Sequence, residues 1–367
     1  MKRFGVRDLA RLANVSVGTV DRALNGRKGI NIQTRQHILA IADANGYAPN
    51  PAAQALSFSK SRYRIGVCIP REIRNFYDHL YSGIEDEARS NAHVGLDVIY
   101  HRVKQLSSQM SKAVNNLLDE NIQALVLTPG SAREMAPLIE MAEKQRNVRV
   151  VCVASDDSPS FRSTGISVDP DINGALAAEL MAKIVPSRSE VAIVTGMLAT
   201  EEHFRKVEAF QKNFRDECRG GKTVKLIEGH ELEEEVYRKT LHLLAEYPNL
   251  KGIYISTANC MPVLRAVEER GRSNQIKIIA TDLFPDQEPY FQRRTISASI
   301  YQDAYQQGRL AIRLILDYFL KGKPLPHSYF VNPVIAMRTN LRQFREMRGS
   351  AQPDSCRIAD PPAGFSS

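Results

Sequence analysis

Residues 6–24 read VRDLARLANVSVGTVDRAL, and this stretch decides the fold of the amino-terminal part of the chain. Its apolar positions fit two short helices that share one buried face, with a break from Asn14 to Ser16. Ser16 is a favourable N-cap residue, and Asn25 with the glycine after it is a helix-stop signal. The pattern therefore predicts a second helix over residues 17–24.

A third helix is predicted over residues 33–45, where apolar residues recur at helical spacing. Its predicted packing face consists of Ile38, Leu39, Ile41 and Ala42. The three helices together form a small all-α headpiece over residues 1–48. Pro49 and Pro51 then interrupt regular structure, so residues 49–62 are predicted to form a hinge.

From residue 63 onward, short β-rich runs alternate with amphipathic helices, and the alternation begins again after Asp169. The helices are predicted near residues 80–92, 109–120, 132–145, 169–184, 204–217, 236–244, up to 269, and 304–320. This pattern predicts a two-lobed, doubly wound α/β body over residues 63–348.

The last segments of the body are expected to return and complete the two lobes. The first lobe is predicted at about residues 63–167 and 303–325, and the second at about 168–302 and 326–348. Residues 349–367 are rich in Pro, Ser and Gly without an apolar period, so a flexible tail is expected there.

The formal net charge of the 367-residue chain is +8, and most of it lies near the amino terminus. Residues 1–62 hold ten basic and three acidic side chains, a net charge of +7. A basic module of this kind suits a polyanion, because neutralised phosphates release condensed counterions. A solvated basic surface without such a partner fits the charge equally well.

Composition and motifs argue against several other classes of protein. Hydrophobic residues make up 43% and charged residues 25%, the ordinary balance of globular proteins. The five cysteines are scattered, so neither a disulfide framework nor a metal site is expected, and no cofactor is indicated. We find no nucleophile, phosphate-loop or zinc-protease motif, and therefore expect no catalytic site. We find neither a signal peptide nor a membrane-spanning apolar run, and expect a cytoplasmic protein.

The run DLARLANVSVGTVDRALNG at residues 8–26, followed by Y-x-P-N-x-x-A-x-x-L at residues 47–56, resembles the LacI family of repressors. The resemblance covers residues 4–345, since the body is similar to the periplasmic-binding-protein type I domain of that family. It implies a nucleoid-associated homodimer on a pseudo-palindromic operator in double-stranded DNA. It also implies a repressor controlled by a small sugar-like or phosphorylated-sugar effector between the lobes.

A recognition helix places its first side chains against base edges. The residues expected to contact DNA are Ser16, Val17, Gly18, Thr19, Arg22 and Asn25. Arg22 is the strongest candidate for reading a base, because a guanidinium can bond guanine O6 and N7 together. The resemblance implies further contacts from hinge residues Ala53 and Leu56, with Leu56 as an apolar wedge in the minor groove. A linker leucine that packs on the body is the alternative for Leu56.

The headpiece departs from the family pattern at two positions. Asn14 stands where glycine is typical, and Asp21 stands where serine is typical. A carboxylate beside phosphates is unfavourable unless it pairs with a nearby arginine or lysine side chain, or accepts a hydrogen bond from the amine of a cytosine.

The effector would bind at the carboxyl ends of the strands, between the lobes. The candidate effector-binding residues are Asn75, Phe76, Tyr77, Asp156, Lys206, Asn259, Asp282 and Gln302. Residues 75–77 resemble the Asn-aromatic-aromatic run with which sugar-binding relatives stack on a sugar ring. An aromatic pair in the core at a helix start fits them equally well.

Carboxylates at strand ends can accept hydrogen bonds from hydroxyls or cap the next element, and both readings stay open for Asp156 and Asp282. Gln302 matches a ligand-facing glutamine at the lobe crossover of the family, and Asn259 follows a strand. Lys206 stands where sugar-binding relatives have arginine. Because this exchange removes the bidentate fork, it suggests a phosphorylated or acidic ligand.

A solute-binding protein of a transport system is the alternative, because it would share the body. It would not carry residues 1–60, and it would need a signal for export.

Overall fold

The computed structural model describes residues 5–24, 29–45, 63–71, 74–104, 109–156 and 161–344. The predicted hinge at residues 49–62 and the predicted tail at 349–367 lie outside the described residues, as does the contact residue Asn25. Within those ranges the chain forms a helical headpiece and a body with two six-stranded sheets.

The headpiece consists of helices α1 (Val6–Leu12), α2 (Val17–Leu24) and α3 (Ile32–Ala44). Asn14 makes the turn between α1 and α2 with a φ of 52°, a left-handed conformation that suits glycine and asparagine. Ser16 then caps α2, since its Oγ accepts a hydrogen bond from the backbone amide of Thr19 at 3.1 Å. The predicted break and N-cap are confirmed, and the asparagine in place of glycine is explained.

The headpiece core is made by residues from all three helices. Its buried members are Leu9, Ala10, Ala13, Val20, Ala23, Ile38 and Ala42. The predicted packing face of α3 is wrong at Leu39, which is 40% exposed. Ile38 and Ala42 lie four residues apart and face the core together, whereas the side chain of Leu39 is turned about 100° away from Ile38.

The first lobe is built on a parallel sheet whose spatial order is β11-β5-β4-β3-β1-β2. Its strands are β1 (Tyr63–Pro70), β2 (Leu96–Val103), β3 (Ala124–Leu127), β4 (Arg149–Val153), β5 (Thr164–Ser167) and β11 (Ser328–Phe330). Its helices are α4 (Arg74–Ser90), α5 (Gln109–Leu118) and α6 (Ala132–Glu140), which a π-helical turn over Met141–Gln145 continues.

The second lobe repeats this plan with the order β12-β10-β9-β8-β6-β7. Its strands are β6 (Glu190–Thr195), β7 (Lys222–Glu228), β8 (Gly252–Ile255), β9 (Lys277–Thr281), β10 (Ile296–Tyr301) and the antiparallel edge strand β12 (Val334–Ala336). Its helices are α7 (Pro170–Ile184), α8 (Glu201–Glu217), α9 (Glu233–Glu246), α10 (Met261–Glu269) and α11 (Glu288–Gln292). Short 3-10 helices lie at Ala92–Val94, Pro285–Gln287 and Arg338–Asn340.

The chain passes between the lobes after β5, after β10 and after β11. The second passage leads into α12 (Ala304–Lys321), which packs against α4 in the first lobe. Ser328 of β11 pairs with Gly165 of β5, so the last passage lies between Phe330 and Val334. The predicted boundary near residue 326 is too early, because a three-residue strand carries no periodic signal.

Helix α4 begins at Arg74, earlier than the predicted start near residue 80. Phe76, Leu80 and Ile84 are buried at a spacing of four residues, which explains why the helix includes residues 75–77. The aromatic pair therefore lies in the first turn of α4 and not in the loop before it.

Helices α4 and α12 cross so closely that neither can carry a side chain at the contact. A Cβ atom on Gly83 would lie 2.0 Å from the carbonyl oxygen of Tyr305, and one on Gly308 would lie 2.2 Å from that of Leu80. Both obstacles are backbone atoms, which cannot rotate away. Since α4 carries the aromatic pair and α12 follows Gln302, this crossing sets the distance between two groups of candidate ligand residues.

Gly83→Ala is expected to lower the free energy of unfolding by roughly 1–3 kcal/mol, the usual cost of overpacking, because the helices must separate. Urea denaturation of the purified protein measures it. Ser82→Ala, at the neighbouring position of the same helix, is the matched control and should change the value by less than about 0.5 kcal/mol. Equal effects of the two substitutions would show that the close crossing is not what the glycine provides.

Candidate functional site

The exposed face of α2 carries most of the residues expected to contact DNA. Val17, Gly18 and Arg22 are exposed there, and Thr19 is half-buried. The hydroxyl groups of Ser16 and Thr19 lie 2.8 Å apart at the start of the helix. The other expected contact residues, Asn25, Ala53 and Leu56, lie outside the described residues.

A cleft of about 520 Å³, a volume that includes its open mouth, lies at the carboxyl ends of the strands. Its lining comes from both lobes: Phe76, Tyr77, Ala154, Ser155, Met197, Thr200, Glu202, His203, Lys206, Glu231, Ser256, Ala258, Asp282 and Gln302. Among the described residues, no group of His, Cys, Asp and Glu side chains could hold a metal ion.

The structure brings Phe76, Tyr77, Lys206, Asp282 and Gln302 together in this lining. Phe76 and Tyr77 pack edge to face, with ring centroids 5.2 Å apart, and are both largely buried. They form an apolar wall on the first lobe. The aromatic pair is thus both a core contact and a cleft surface, so the two readings of its sequence are compatible.

Three candidate ligand residues lie outside the lining. Asn75 is exposed on α4. Asp156 is paired with the fully buried side chain of Arg162, and a Cβ on Gly165 would collide with its carboxylate. The backbone amide of Asn259 donates to Thr257 Oγ1 at 3.2 Å. Asp156 therefore has a structural partner that the strand-end rule could not reveal.

Gln302, at the second passage between the lobes, organises the polar floor of the cleft. Its side-chain Oε1 accepts a hydrogen bond from Lys206 Nζ at 2.7 Å, while its Nε2 donates to Asp282 Oδ2 at 2.9 Å. Its backbone amide donates to Asp282 Oδ1 at 3.0 Å. The two different partners fix which end of the amide faces which neighbour.

Lys206 is 1% exposed and reaches the floor from α8. Its ammonium forms an ion pair with Glu202, one helical turn earlier, besides its bond to Gln302. A charge this deeply buried requires such a partner, since desolvation would otherwise cost several kcal/mol. The positive charge is therefore already balanced by the protein.

Asp282 follows β9 in a left-handed conformation with a φ of 61°. Burial raises the pKa of its carboxyl to about 6, although the bonds from Gln302 and the charge of Lys206 act in the opposite direction. Ser299 donates its hydroxyl to the backbone carbonyl of Asp282 and holds the turn in place. The carboxylate is thus pre-positioned at the strand end.

Sequence reasoning missed a second polar group in the cleft, made by His203, Glu231 and Thr257. The Thr257 hydroxyl lies 2.7 and 2.8 Å from the two carboxylate oxygens of Glu231, and His203 Nε2 lies 3.8 Å from Glu231 Oε1. Gly196 leaves room for both, since its Cβ would fall 1.8 Å from Glu231 Oε1. The strand-end rule applied to β7 points to the segment after Glu228, but the burial of Glu231 there depends on the distant residues Gly196 and Thr257.

Two family models match the chain. The model described as "Bacterial regulatory proteins, lacI family" matches residues 6–50, and the model described as "Periplasmic binding protein domain" matches residues 65–324. The chain belongs to the LacI family. This LacI-family protein is accordingly a DNA-binding transcription regulator.

The regulator is similar to curated proteins of known name. The catabolite control protein A of Priestia megaterium is 27% identical over 322 residues, which cover 86% of this chain and 92% of that protein. The catabolite control protein A of Staphylococcus aureus is 27% identical over 209 residues, which cover 55% of this chain and 57% of that protein.

Solved structures share the fold of the regulator's body. An ABC transporter solute binding protein from Burkholderia graminis, in complex with D-arabinose, aligns with a TM-score of 0.71 at 19% identity, covering 77% of this chain and 97% of that one. A glucose-galactose binding protein from Geobacillus stearothermophilus aligns with a TM-score of 0.70 at 23% identity, covering 77% and 99%. A solute binding protein from Bacillus halodurans with bound myo-inositol aligns with a TM-score of 0.70 at 16% identity, covering 78% and 98%.

Across the described part of the LacI-family chain, no helix has both the length and the apolar character needed to cross a membrane.

Asp282→Asn tests the floor of the cleft through its pH dependence. The folded chain holds the Asp282 proton more tightly than the unfolded chain, so its contribution to stability is present below the ordinary pKa near 3.8 and is lost as the pH rises through about 6. The free energy of unfolding of the regulator minus that of the variant should therefore fall between pH 4 and 7, by up to about 3 kcal/mol.

Urea titrations at several pH values measure this difference, with the exposed Asp286→Asn as the matched control. A difference that does not change with pH would show that folding does not raise the pKa of Asp282.

Proposed function

We propose that the regulator is a homodimeric repressor that binds a pseudo-palindromic operator and is controlled by a sugar-like, polyhydroxylated effector held between its lobes. It would act in the cytoplasm, on the nucleoid. The observation that carries the proposal is the floor of the cleft, where the amide of Gln302 joins a buried lysine to a buried aspartate beside an aromatic wall.

This combination suits a sugar ring. A ring of this kind has apolar faces that stack on aromatic side chains and hydroxyl groups that both donate and accept hydrogen bonds. Phe76 and Tyr77 supply an aromatic surface for the apolar faces of the ring, and the carboxylates of the lining and the amide of Gln302 supply hydrogen-bond partners for its hydroxyl groups. Structures of the same fold contain D-arabinose, D-allose and myo-inositol, which supports a ligand of this class.

A phosphorylated effector, suggested by the lysine in place of arginine, receives less support from the geometry. The ammonium of Lys206 is paired with Glu202 and is almost completely buried. A phosphate would need that charge to be free, and it would also lie near further carboxylates. We therefore favour an effector without a phosphate group.

Gln302 also supports coupling between the cleft and the relative position of the lobes. Its backbone carbonyl accepts from Gln307 Nε2 at 2.8 Å, and Gln307 Oε1 accepts from the backbone amide of Ala154 in the first lobe at 3.2 Å. A ligand that binds one arrangement of the lobes more tightly would shift the population towards it. In a dimer this shift would change the spacing of the two headpieces and hence the affinity for the operator.

A solute-binding protein of a transport system remains the second candidate for the body alone. The match of residues 6–50 to the lacI family model speaks against it, because a transport protein has no use for a DNA-reading headpiece. An enzymatic role has no motif in its favour, and we propose none.

Arg22→Ala is expected to reduce affinity for the operator, once this has been identified by selection from a random duplex library, by about tenfold or more. The reason is that an arginine bidentate to guanine is worth roughly 1–3 kcal/mol. Fluorescence anisotropy at fixed salt measures it. Arg146→Ala, which removes an exposed arginine of the body paired with Asp119, is the control and should leave the affinity within twofold. Operator affinity within twofold for Arg22→Ala would overturn the assignment of the recognition helix.

The experiment that tests the whole proposal has two steps. Bound sequences are first selected from a random duplex library with the full chain and with a version lacking residues 1–60. Thermal shift with neutral pentoses, hexoses and inositols then tests the cleft. An inverted repeat selected only by the full chain, together with a stabilising monosaccharide or polyol that alters operator affinity, is the expected result. Stabilisation by none of these compounds would contradict the sugar-like effector.

A further inference from the structure

The ionisable side chains that line the cleft are Glu202, His203, Lys206, Glu231 and Asp282. Three of them are acids and only one is a permanent base. The charge of a ligand that suits the cleft depends on which of these carboxylates already has a positive partner within the protein.

Lys206 cannot serve as the partner of every acid. Its ammonium contacts Glu202 and the amide oxygen of Gln302, and its side chain is 1% exposed. Asp282 is satisfied instead by two N–H groups of Gln302, at 2.9 and 3.0 Å. The remaining acid, Glu231, has no lysine or arginine within ion-pair distance among the described residues.

His203 is the basic group nearest to Glu231 among the described residues, with Nε2 3.8 Å from Glu231 Oε1. Its Nδ1 lies 3.0 Å from the backbone amide nitrogen of Met197 and 3.2 Å from the Met197 carbonyl oxygen, so it can accept from the first or donate to the second. The distance of 3.8 Å from Nε2 to the carboxylate is longer than a hydrogen bond. His203 therefore gives Glu231 no hydrogen bond from a cation.

Glu231 is nevertheless built into its place. The backbones of His230 and Glu231 are both in the left-handed region, with φ angles of 50° and 60°. The Thr257 hydroxyl, which has one hydrogen to donate, lies within hydrogen-bond distance of both carboxylate oxygens of Glu231. The Glu231 side chain is 3% exposed, and burial raises its pKa above the ordinary range, although the charges of His203 and Lys206 and the hydrogen bond from Thr257 act in the opposite direction. Among the described residues, the protein thus holds this acid in the cleft wall without a hydrogen bond from a cation.

We propose that the effector is a polyhydroxylated molecule that carries a protonated amine, and that this amine lies against Glu231. Amino sugars and polyhydroxylated cyclic amines are the chemical class. The inference rests on the sugar-like effector proposed above and specifies that this effector carries a positive charge. A ligand ammonium would donate to Glu231 the charge-assisted hydrogen bond that no described side chain of the lining gives it, in a site screened from water.

Matched pairs of sugars test the charge, because each pair differs only in an amine or a hydroxyl. Isothermal titration calorimetry compares glucosamine, galactosamine and mannosamine with glucose, galactose and mannose, and with the corresponding 6-phosphates. 1-Deoxynojirimycin adds an amine within the ring. At least one amine is expected to bind roughly tenfold or more tightly than its neutral counterpart. The phosphates are expected to bind more weakly than either.

Glu231→Gln then assigns the amine to this carboxylate. The substitution keeps the shape and removes the charge, so it should weaken binding of the amine by about tenfold or more and change binding of the neutral counterpart by less than about threefold. The exposed Glu234→Gln, on the same segment, is the control and should change neither. Thermal unfolding shows whether both variants are folded.

The outcomes separate this inference from the function on which it rests. Tighter binding of a neutral sugar or a phosphate than of every amine, or an amine affinity that survives Glu231→Gln, would overturn the charged effector and leave a sugar-like effector standing. Binding by no member of the panel would overturn the sugar-like effector itself.

Discussion

The side-chain amide of Gln302 is the contact on which the organisation of the cleft depends. It accepts from the ammonium of Lys206 and donates to the carboxylate of Asp282, so it connects two charges that burial would otherwise penalise. It also stands where the chain returns from the second lobe to the first, directly before α12. The polar floor of the cleft therefore adjoins a passage between the lobes, and this is the contact through which the proposed effector would influence their relative position.

Burial of the Lys206 charge decides between two views of the site. From the sequence alone, a lysine in place of arginine suggests an anionic ligand. In the folded chain the same lysine is neutralised by Glu202 on the preceding turn of α8 and is hidden from solvent. The acids around it then dominate the electrostatics of the cleft. This reversal arises because the charge of a site depends on which groups are paired, and pairing is a property of the fold.

Much of the fold was predictable because its signals are local. The helix break at Asn14, the cap at Ser16 and the alternation of strands and helices follow from neighbouring residues, and all are confirmed. Features that depend on distant partners were not predictable. Asp156 stands at a strand end like Asp282, yet Arg162 occupies it. Glu231 escaped notice because Gly196 and Thr257, which place it in the cleft, lie far away in sequence.

Reciprocal binding measurements test whether the cleft and the headpiece are coupled. The dissociation constant for the selected operator is measured with and without saturating effector, and that for the effector with and without operator, at one salt concentration. If the two sites are coupled, each ligand should change the dissociation constant of the other by the same factor, on the order of 5–150-fold. An effector that binds in the cleft and leaves operator affinity unchanged would contradict this coupling.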